Sequence, residues 1–306
     1  MNARVLETIK KSAAVPSMPQ VVMRFLEIMQ DPEFDYKDLE RVLSADPGTV
    51  SEVLRLANSA LFGVRNKVVS VRHALTLLGP KRTRSLLLGR YLVDTMSKRG
   101  VTGLDMGYFW RRSLASSVIA SHLASKILPR LRDECFIAAL LAKIGIPILA
   151  EALPQKYGRI AGQLTPDGTP ITQDQEVQAV EVTHAEVSAM VLAHWTLPDN
   201  VCSAVNLHLS SNPGEGEVSL MARSLNSSDR IARLLCGNTN ALEIATVCGE
   251  ATAFVGLDVT ALRAMLNQIE KDLAELADAL RIELVLGERY ALMRTALNEA
   301  LAVVSA

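Results

Sequence analysis

The sequence has few aromatic residues, no closely spaced cysteines and almost no net charge. Aromatic side chains make up 4% of the 306 residues, whereas 49% of the residues are hydrophobic, mainly Leu, Ala, Val and Ile. This composition favours packed helices and is ample for a buried core in one large or two modest domains. The formal net charge of −1 gives no overall field that would draw the chain to nucleic acid or to an anionic membrane.

Other absences exclude whole classes of protein. The four cysteines show no CxxC spacing, which predicts reduced, mostly buried thiols and a cytoplasmic protein. The N-terminal residues mix charged with apolar side chains and lack the apolar core of a signal peptide. No apolar run approaches the roughly 20 residues that span a bilayer, so no membrane segment is expected. Gly-rich phosphate loops and nucleophile elbows are absent as well.

Helical periodicity predicts an all-α fold, because no alternating strand pattern of useful length is present. Local capping chemistry sets several helix ends. Asp46 is expected to cap a helix that begins at Pro47, Ser70 to cap the next one, and Gly79-Pro80 to separate that helix from its successor. Further along, a single helix is expected over 135–149, followed by an irregular stretch over 154–174.

The chain divides into three predicted parts. Residues 14–99 form an N-terminal helical lobe, and the glycine-containing segment 100–107 is the expected hinge to a second helical lobe over 100–236. A C-terminal helical extension over 237–306 completes the chain. Its apolar residues repeat with a heptad-like 4-3-4-3-4 spacing at Leu262, Leu266, Ile269, Leu273, Leu276 and Leu280. Fewer than three heptads are present, so we expect a helix packed on its own domain, with a homodimer contact as the alternative.

Three stretches, in order along the chain, resemble the HDOD family. They are Pro16-Ser17-Met18-Pro19 with the helix after it, residues 45–63 joined to 69–79, and Thr183-His184-Ala185-Glu186-Val187 with His194-Trp195-Thr196-Leu197-Pro198. The resemblance implies an all-α protein with an N-terminal helical lobe and an HD-like second lobe. It also implies a role in bacterial signalling or regulation, with an activity that is mostly undefined for the family.

The resemblance also points to a metal site that has lost its ligands. Residues 140–147 are similar to the Leu-Leu-His-Asp-Ile-Gly stretch of HD phosphohydrolases, whose His and Asp bind a divalent metal. Here Ala142 and Lys143 stand at those two positions. The first ligand His of the family falls near Arg112, and only the final Asp is retained in type, as Asp229. An HD hydrolase needs its metal to activate water, and two cations at ligand positions would repel that metal.

The same substitutions allow an alternative site. A pocket that gains Arg112 and Lys143 could bind an anion such as a phosphate or a nucleotide. The competing interpretation is that both cations are solvated or paired with acids such as Glu134 or Glu151.

The remaining polar candidates have structural explanations. His184, His208 and Asp229 are the residual candidates for a metal ligand, but His184 and His208 are expected to be hydrogen-bonded structural residues, and His194 is expected to pack. In the first lobe, Asn58 can adopt a left-handed helix end or bond across a loop. Asp46, Asn58 and Ser59 are also candidates for shaping a groove between the lobes.

These observations predict a non-catalytic regulatory protein that acts through protein partners, without a cofactor, at a degenerate HD site. A metal-dependent phosphohydrolase and a sensor that binds an anionic nucleotide are the two alternatives. Nucleic-acid binding is disfavoured by the net charge.

Overall fold

The computed structural model describes residues 3–31, 33–58, 67–284 and 287–304, and within these residues every regular element is helical. The all-α fold is therefore confirmed. The first helices are α1 Ala3–Lys10, α2 Gln20–Ile28, α3 Tyr36–Ser44, α4 Pro47–Ala57, α5 Val71–Leu78 and α6 Pro80–Arg99. They are followed by α7 Met106–Ile127, α8 Arg132–Leu141, α9 Gly145–Ala152, α10 Pro154–Ala161, α11 Gln173–Val180, α12 His184–His194, α13 Asp199–Leu207 and α14 Glu217–Cys236. The chain closes with α15 Ala241–Phe254, α16 Val259–Leu280 and α17 Gly287–Val304.

The expected caps form. The Asp46 carboxylate accepts the Thr49 backbone N–H at 2.6 Å, and the Ser70 hydroxyl accepts the His73 N–H at 3.2 Å. Gly79 has a φ of 75°, which a glycine adopts without strain, and it separates α5 from α6. These ends depend on neighbouring residues alone, which is why the sequence predicts them.

The core of the fold is organised around α7. This helix is buried on nearly all sides, with α14 and α8 along its flanks and α16 against it as well. Its middle is rich in Ala and Ser, which let the neighbouring helices approach closely. The hydroxyl groups of Ser116 on α7 and Ser228 on α14 lie 3.0 Å apart. Since α7 carries Arg112 and α14 carries Asp229, this packing places the site.

The expected single helix over 135–149 is wrong, because it is divided into α8 and α9. Pro147 has no N–H to donate to the carbonyl of Lys143, so α8 cannot continue through it. Gly145 begins α9 in close contact with α12, and the chain between the two helices carries Lys143. The expected irregular stretch over 154–174 is also wrong in part, since it contains α10.

Two further expectations concern long apolar segments. Pro129–Ala152 is, by length and composition, apolar enough to cross a membrane, contrary to the expectation that no run approaches that length. Of its most apolar window 83% is buried inside the fold, as in a core segment. The heptad-like residues of α16 are also buried within this chain, against α6, α7, α15 and α17. Their packing is that of a helix on its own domain.

Candidate functional site

Arg112 and Asp229 form a two-point ion pair between α7 and α14. Nε and Nη2 of Arg112 donate to the two carboxylate oxygens of Asp229, at 3.0 and 2.7 Å. The Arg112 side chain is 10% exposed and that of Asp229 is 22% exposed. Parallel hydrogen bonds of this kind are among the stronger pairings of a guanidinium with a carboxylate. The two residues that the resemblance places at the first and last HD ligand positions thus bind each other.

Lys143 binds the same carboxylate. It lies between α8 and α9, it is 3% exposed, and its ammonium group donates to Oδ1 of Asp229. Burial alone would raise the pKa of the Asp229 carboxyl, but Arg112 and Lys143 outweigh burial and hold that pKa well below its usual range. Burial lowers the pKa of Lys143, and the charge of Asp229 opposes that shift. We call Arg112, Lys143 and Asp229 the ion triad.

A buried histidine cluster adjoins the ion triad. Glu176 is fully buried and accepts hydrogen bonds from the Tyr157 hydroxyl, from the His184 backbone N–H at 3.2 Å and from Nδ1 of His184 at 2.9 Å. Burial acts to raise the pKa of Glu176, but the contacts with His184 and Tyr157 lower it overall. The carboxylate therefore fixes the His184 ring, whose Nε2 has no hydrogen-bond partner within the described residues.

His208 connects this cluster to the ion triad. Its ring centroid lies 5.5 Å from that of His184, and its Nδ1 lies 2.6 Å from the carbonyl oxygen of Val205. Burial and the neighbouring His184 lower the pKa of His208 to about 4, while Asp229 opposes that shift. His208 is therefore neutral near pH 7. The residual candidates His184, His208 and Asp229 lie in one region of the interior, together with Arg112 and Lys143.

Gly145, in the 140–147 stretch, positions the segment that carries Lys143 against α12. A Cβ on Gly145 would come within 2.2 Å of the carbonyl oxygen of His184, so only glycine permits the contact between α9 and α12. The Gly145 N–H also donates to the Ser188 hydroxyl at 2.8 Å. The backbone contact of Gly145 is thus fixed beside Lys143, one of the residues that the resemblance places at a ligand position.

The residues present do not fit the divalent metal that an HD hydrolase requires. Among the described residues, no three His, Cys, Asp or Glu side chains are arranged to hold a metal ion. Asp229 is the retained carboxylate, and its oxygens are bonded to two cations. A metal would have to displace Arg112 and Lys143 while both remained buried beside it, which electrostatic repulsion opposes.

Other expected residues lie elsewhere. Glu134 binds Lys81 at 2.7 Å and Glu151 lies 3.9 Å from Arg99, so the acid that pairs with Arg112 and Lys143 is Asp229 instead. The expectation that His194 packs is wrong, because His194 is exposed in the last turn of α12 and the adjacent Trp195 takes the buried position.

Of the three residues expected to shape a groove, Asp46 and Asn58 have defined contacts. Asn58 does not adopt the left-handed conformation. It bonds to Val68, farther along the chain: its side-chain amide donates to the carbonyl of Val68 at 2.8 Å and accepts the Val68 N–H at 2.8 Å. Asp46 lines a groove beside α2. Ser59 lies outside the described residues.

Sequence reasoning did not find the roles of Tyr157 and Glu176. Both lie in or beside the stretch expected to be irregular, and the burial of Glu176 depends on the packing of α10 on α11 and on its contacts with Tyr157 and His184. The only signal was the proximity of Glu176 to His184 in the sequence.

Helices, site and sequence together define an all-α domain of the HD-related class. Residues 15–211 match the model of the HDOD domain family, and the chain belongs to that family.

Solved structures share the fold. A protein from Shewanella amazonensis SB2B described as a candidate phosphohydrolase has a TM-score of 0.73 at 22% identity, over 91% of this chain and 98% of that one. An HDOD domain protein with unknown function from Geobacter sulfurreducens has a TM-score of 0.70 at 18% identity, over 90% and 98% of the two chains. At these identities the similarity establishes the fold alone.

A curated relative is longer than this chain. An uncharacterized protein from Treponema pallidum (strain Nichols) is 22% identical over 230 residues, which cover 74% of this chain and 43% of that protein. The chain therefore spans less than half the length of the curated relative that it matches.

Proposed function

We propose that this chain is a non-catalytic regulatory protein of bacterial signalling that acts through contacts with protein partners. The observation that carries the proposal is the ion triad, in which Asp229 binds both Arg112 and Lys143. At the position where an HD hydrolase holds a metal, this chain has a closed set of internal ion pairs. In the ion triad the carboxylate is bonded to two cations, so it is not available to hold a metal that would activate water.

The phosphohydrolase alternative has support only from the fold. The Shewanella amazonensis protein is described as a candidate phosphohydrolase, but the residues of this chain do not supply the ligands for that chemistry. Burying a further divalent cation beside Arg112 and Lys143 would cost several kcal/mol, by the order of magnitude of charge repulsion at short range.

The anion-sensor alternative is weakened by the same geometry. Nε and Nη2 of Arg112 already donate to Asp229, and the Lys143 ammonium group donates to the same carboxylate. A nucleotide phosphate would have to compete with a carboxylate already held in place inside the fold, which is an unfavourable exchange.

The test is metal analysis of the full chain purified without chelators, combined with a phosphodiesterase screen in the presence of manganese. We expect substoichiometric metal and no turnover above that of a parallel preparation of Asp229→Ala. Stoichiometric metal, with turnover that the Asp229→Ala substitution abolishes, would overturn the proposal. If the metal and turnover tests are negative, co-purification from native cells would identify the protein partner.

A further inference from the structure

A groove of about 1070 Å³ lies between α2, α4 and α6, outside the site described above. From α2 it is lined by Gln20, Met23 and Glu27, and from α6 by Leu87 and Asp94. These spacings place each set on one face of its helix. We call this concavity the α2–α6 groove.

The floor of the groove is apolar and held in place. Val22 and Leu87 are buried there, whereas Met23 leaves 48% of its surface exposed. The buried Arg90 is bound to Glu52 at 3.3 Å and to Asp94 at 2.6 Å, and its Nη1 donates to the Leu280 carbonyl of α16 at 3.0 Å. These contacts join α4, α6 and α16, so the α4 and α6 walls of the groove are held in place without a ligand.

The groove is acidic. Among the described residues of its lining, the four carboxylates of Glu27, Asp46, Glu52 and Asp94 outnumber the guanidinium groups of Arg24 and Arg90, which gives a formal charge of −2. Glu27 is paired with Arg24, Asp94 with Arg90, and Glu52 also with Arg55 at the edge of the groove. The side chains of Glu27 and Asp94 are 50% and 42% exposed and can meet a ligand at the rim. A lining of this charge repels nucleotides and other anions and attracts basic groups.

We propose that the α2–α6 groove binds a basic amphipathic peptide segment of a partner protein. Apolar side chains of the segment would contact Met23 and the floor, and Lys or Arg side chains would reach Glu27 and Asp94. The groove, at about 1070 Å³, is a little larger than the roughly 300–1,000 Å³ that is typical of small-molecule pockets, which favours a peptide segment as its occupant. Laying one apolar face into a groove between helices is an established mode of peptide binding. This inference rests on the proposed function and names the kind of partner involved.

The experiment uses the full chain and a phage-displayed library of random peptides of about 12 residues, roughly 18 Å long if helical. The groove variant is Met23→Gln with Glu27→Lys. The control variant is Leu242→Gln with Glu250→Lys on α15, because Leu242 is 78% exposed and Glu250, like Glu27, forms an exposed ion pair with an arginine. Both variants change the net charge equally, and both replace exposed residues, so thermal unfolding should match that of the wild type.

We expect the selected peptides to be enriched in Lys or Arg together with apolar residues. The affinity of their synthetic forms should fall at least about tenfold in the groove variant and stay near the wild-type value in the control variant. Acidic peptides, no enriched sequence, or equal loss in both variants would overturn the groove assignment. If the groove assignment fails but the chain contains no metal and shows no turnover, the proposed function still stands. Metal-dependent turnover would overturn the proposed function whatever the outcome of the peptide selection.

Discussion

Gly145 lies directly against the backbone of His184, so closely that a Cβ on Gly145 would meet the His184 carbonyl oxygen at 2.2 Å. This contact holds the segment that carries Lys143 against the helix that carries His184. The backbone is thus fixed at the point where the site residues converge.

Replacing Gly145 with alanine should destabilise the fold. The added methyl group meets backbone atoms that cannot rotate away, so α9 or α12 must shift, and we expect a loss of about 2–4 kcal/mol in the free energy of unfolding. Urea denaturation followed by circular dichroism measures it. Gly158→Ala in α10 is the matched control, since nothing lies within 4 Å of its added Cβ, and it should leave stability unchanged or slightly raised. Equal effects of the two substitutions would contradict the contact.

Asp229→Asn should be more damaging than the loss of an ordinary surface ion pair. The substitution removes the negative charge that two buried cations share, and Arg112 and Lys143 remain inside. We expect a loss of about 2–4 kcal/mol, a little below the range for fully buried pairs because Asp229 is partly exposed. Glu250→Gln breaks an exposed pair with Arg230 and should cost less than about 1 kcal/mol. Chemical denaturation of the three proteins at pH 7 and matched salt measures the difference.

Stability should fall as the pH drops from 6.5 to 4. The pKa of His208 is lowered to about 4 by burial and by His184, whereas an unfolded histidine titrates near 6.5. The unfolded chain therefore binds more protons in this window, and the contribution of His208, on the order of 3 kcal/mol, is present above pH 6.5 and is lost on acidification.

His208→Gln should flatten that pH dependence. The exposed His194→Gln is the control, and it should retain the slope of the wild type between pH 6.5 and 4. Denaturant unfolding at half-unit pH intervals gives both curves. An unchanged slope in His208→Gln would show that another group is responsible.

Asn58→Ala should weaken the connection between the end of α4 and Val68. The Asn58 side-chain amide donates to the Val68 carbonyl and accepts from the Val68 N–H. Alanine removes the hydrogen-bond partner of both of these backbone groups. We expect a loss of about 1–3 kcal/mol in the free energy of unfolding. Asn267→Ala on α16, where the side chain accepts one exposed bond from Arg294, is the control and should change stability by less than about 0.5 kcal/mol. Hydrogen exchange at Val68 should rise in the first variant only.

The sequence predicts the features that depend on neighbouring residues. Asp46, Ser70 and Gly79 begin or end their helices as expected, because a side chain that caps a helix needs only the next few N–H groups. The break between α8 and α9 was missed, because it depends in part on the approach of His184, which lies far along the chain. The buried position of Glu176 was missed for the same reason.

The site was predicted in part. From the resemblance to HD proteins, Arg112, Lys143 and Asp229 are predicted to stand at altered or retained ligand positions, and the structure brings the three together. It did not reveal that the retained acid binds both cations, because Asp229 and Arg112 are 117 residues apart and meet only through the packing of α14 on α7. Charge types at separate positions do not by themselves determine which groups pair.

The ion triad as a replacement for a metal centre is tested most directly by isothermal titration of Mn²⁺ into the full chain purified without chelators. We expect no stoichiometric binding, because Arg112 and Lys143 already bind Asp229. Stoichiometric binding in the wild type that is lost in both Asp229→Asn and His208→Gln would contradict it.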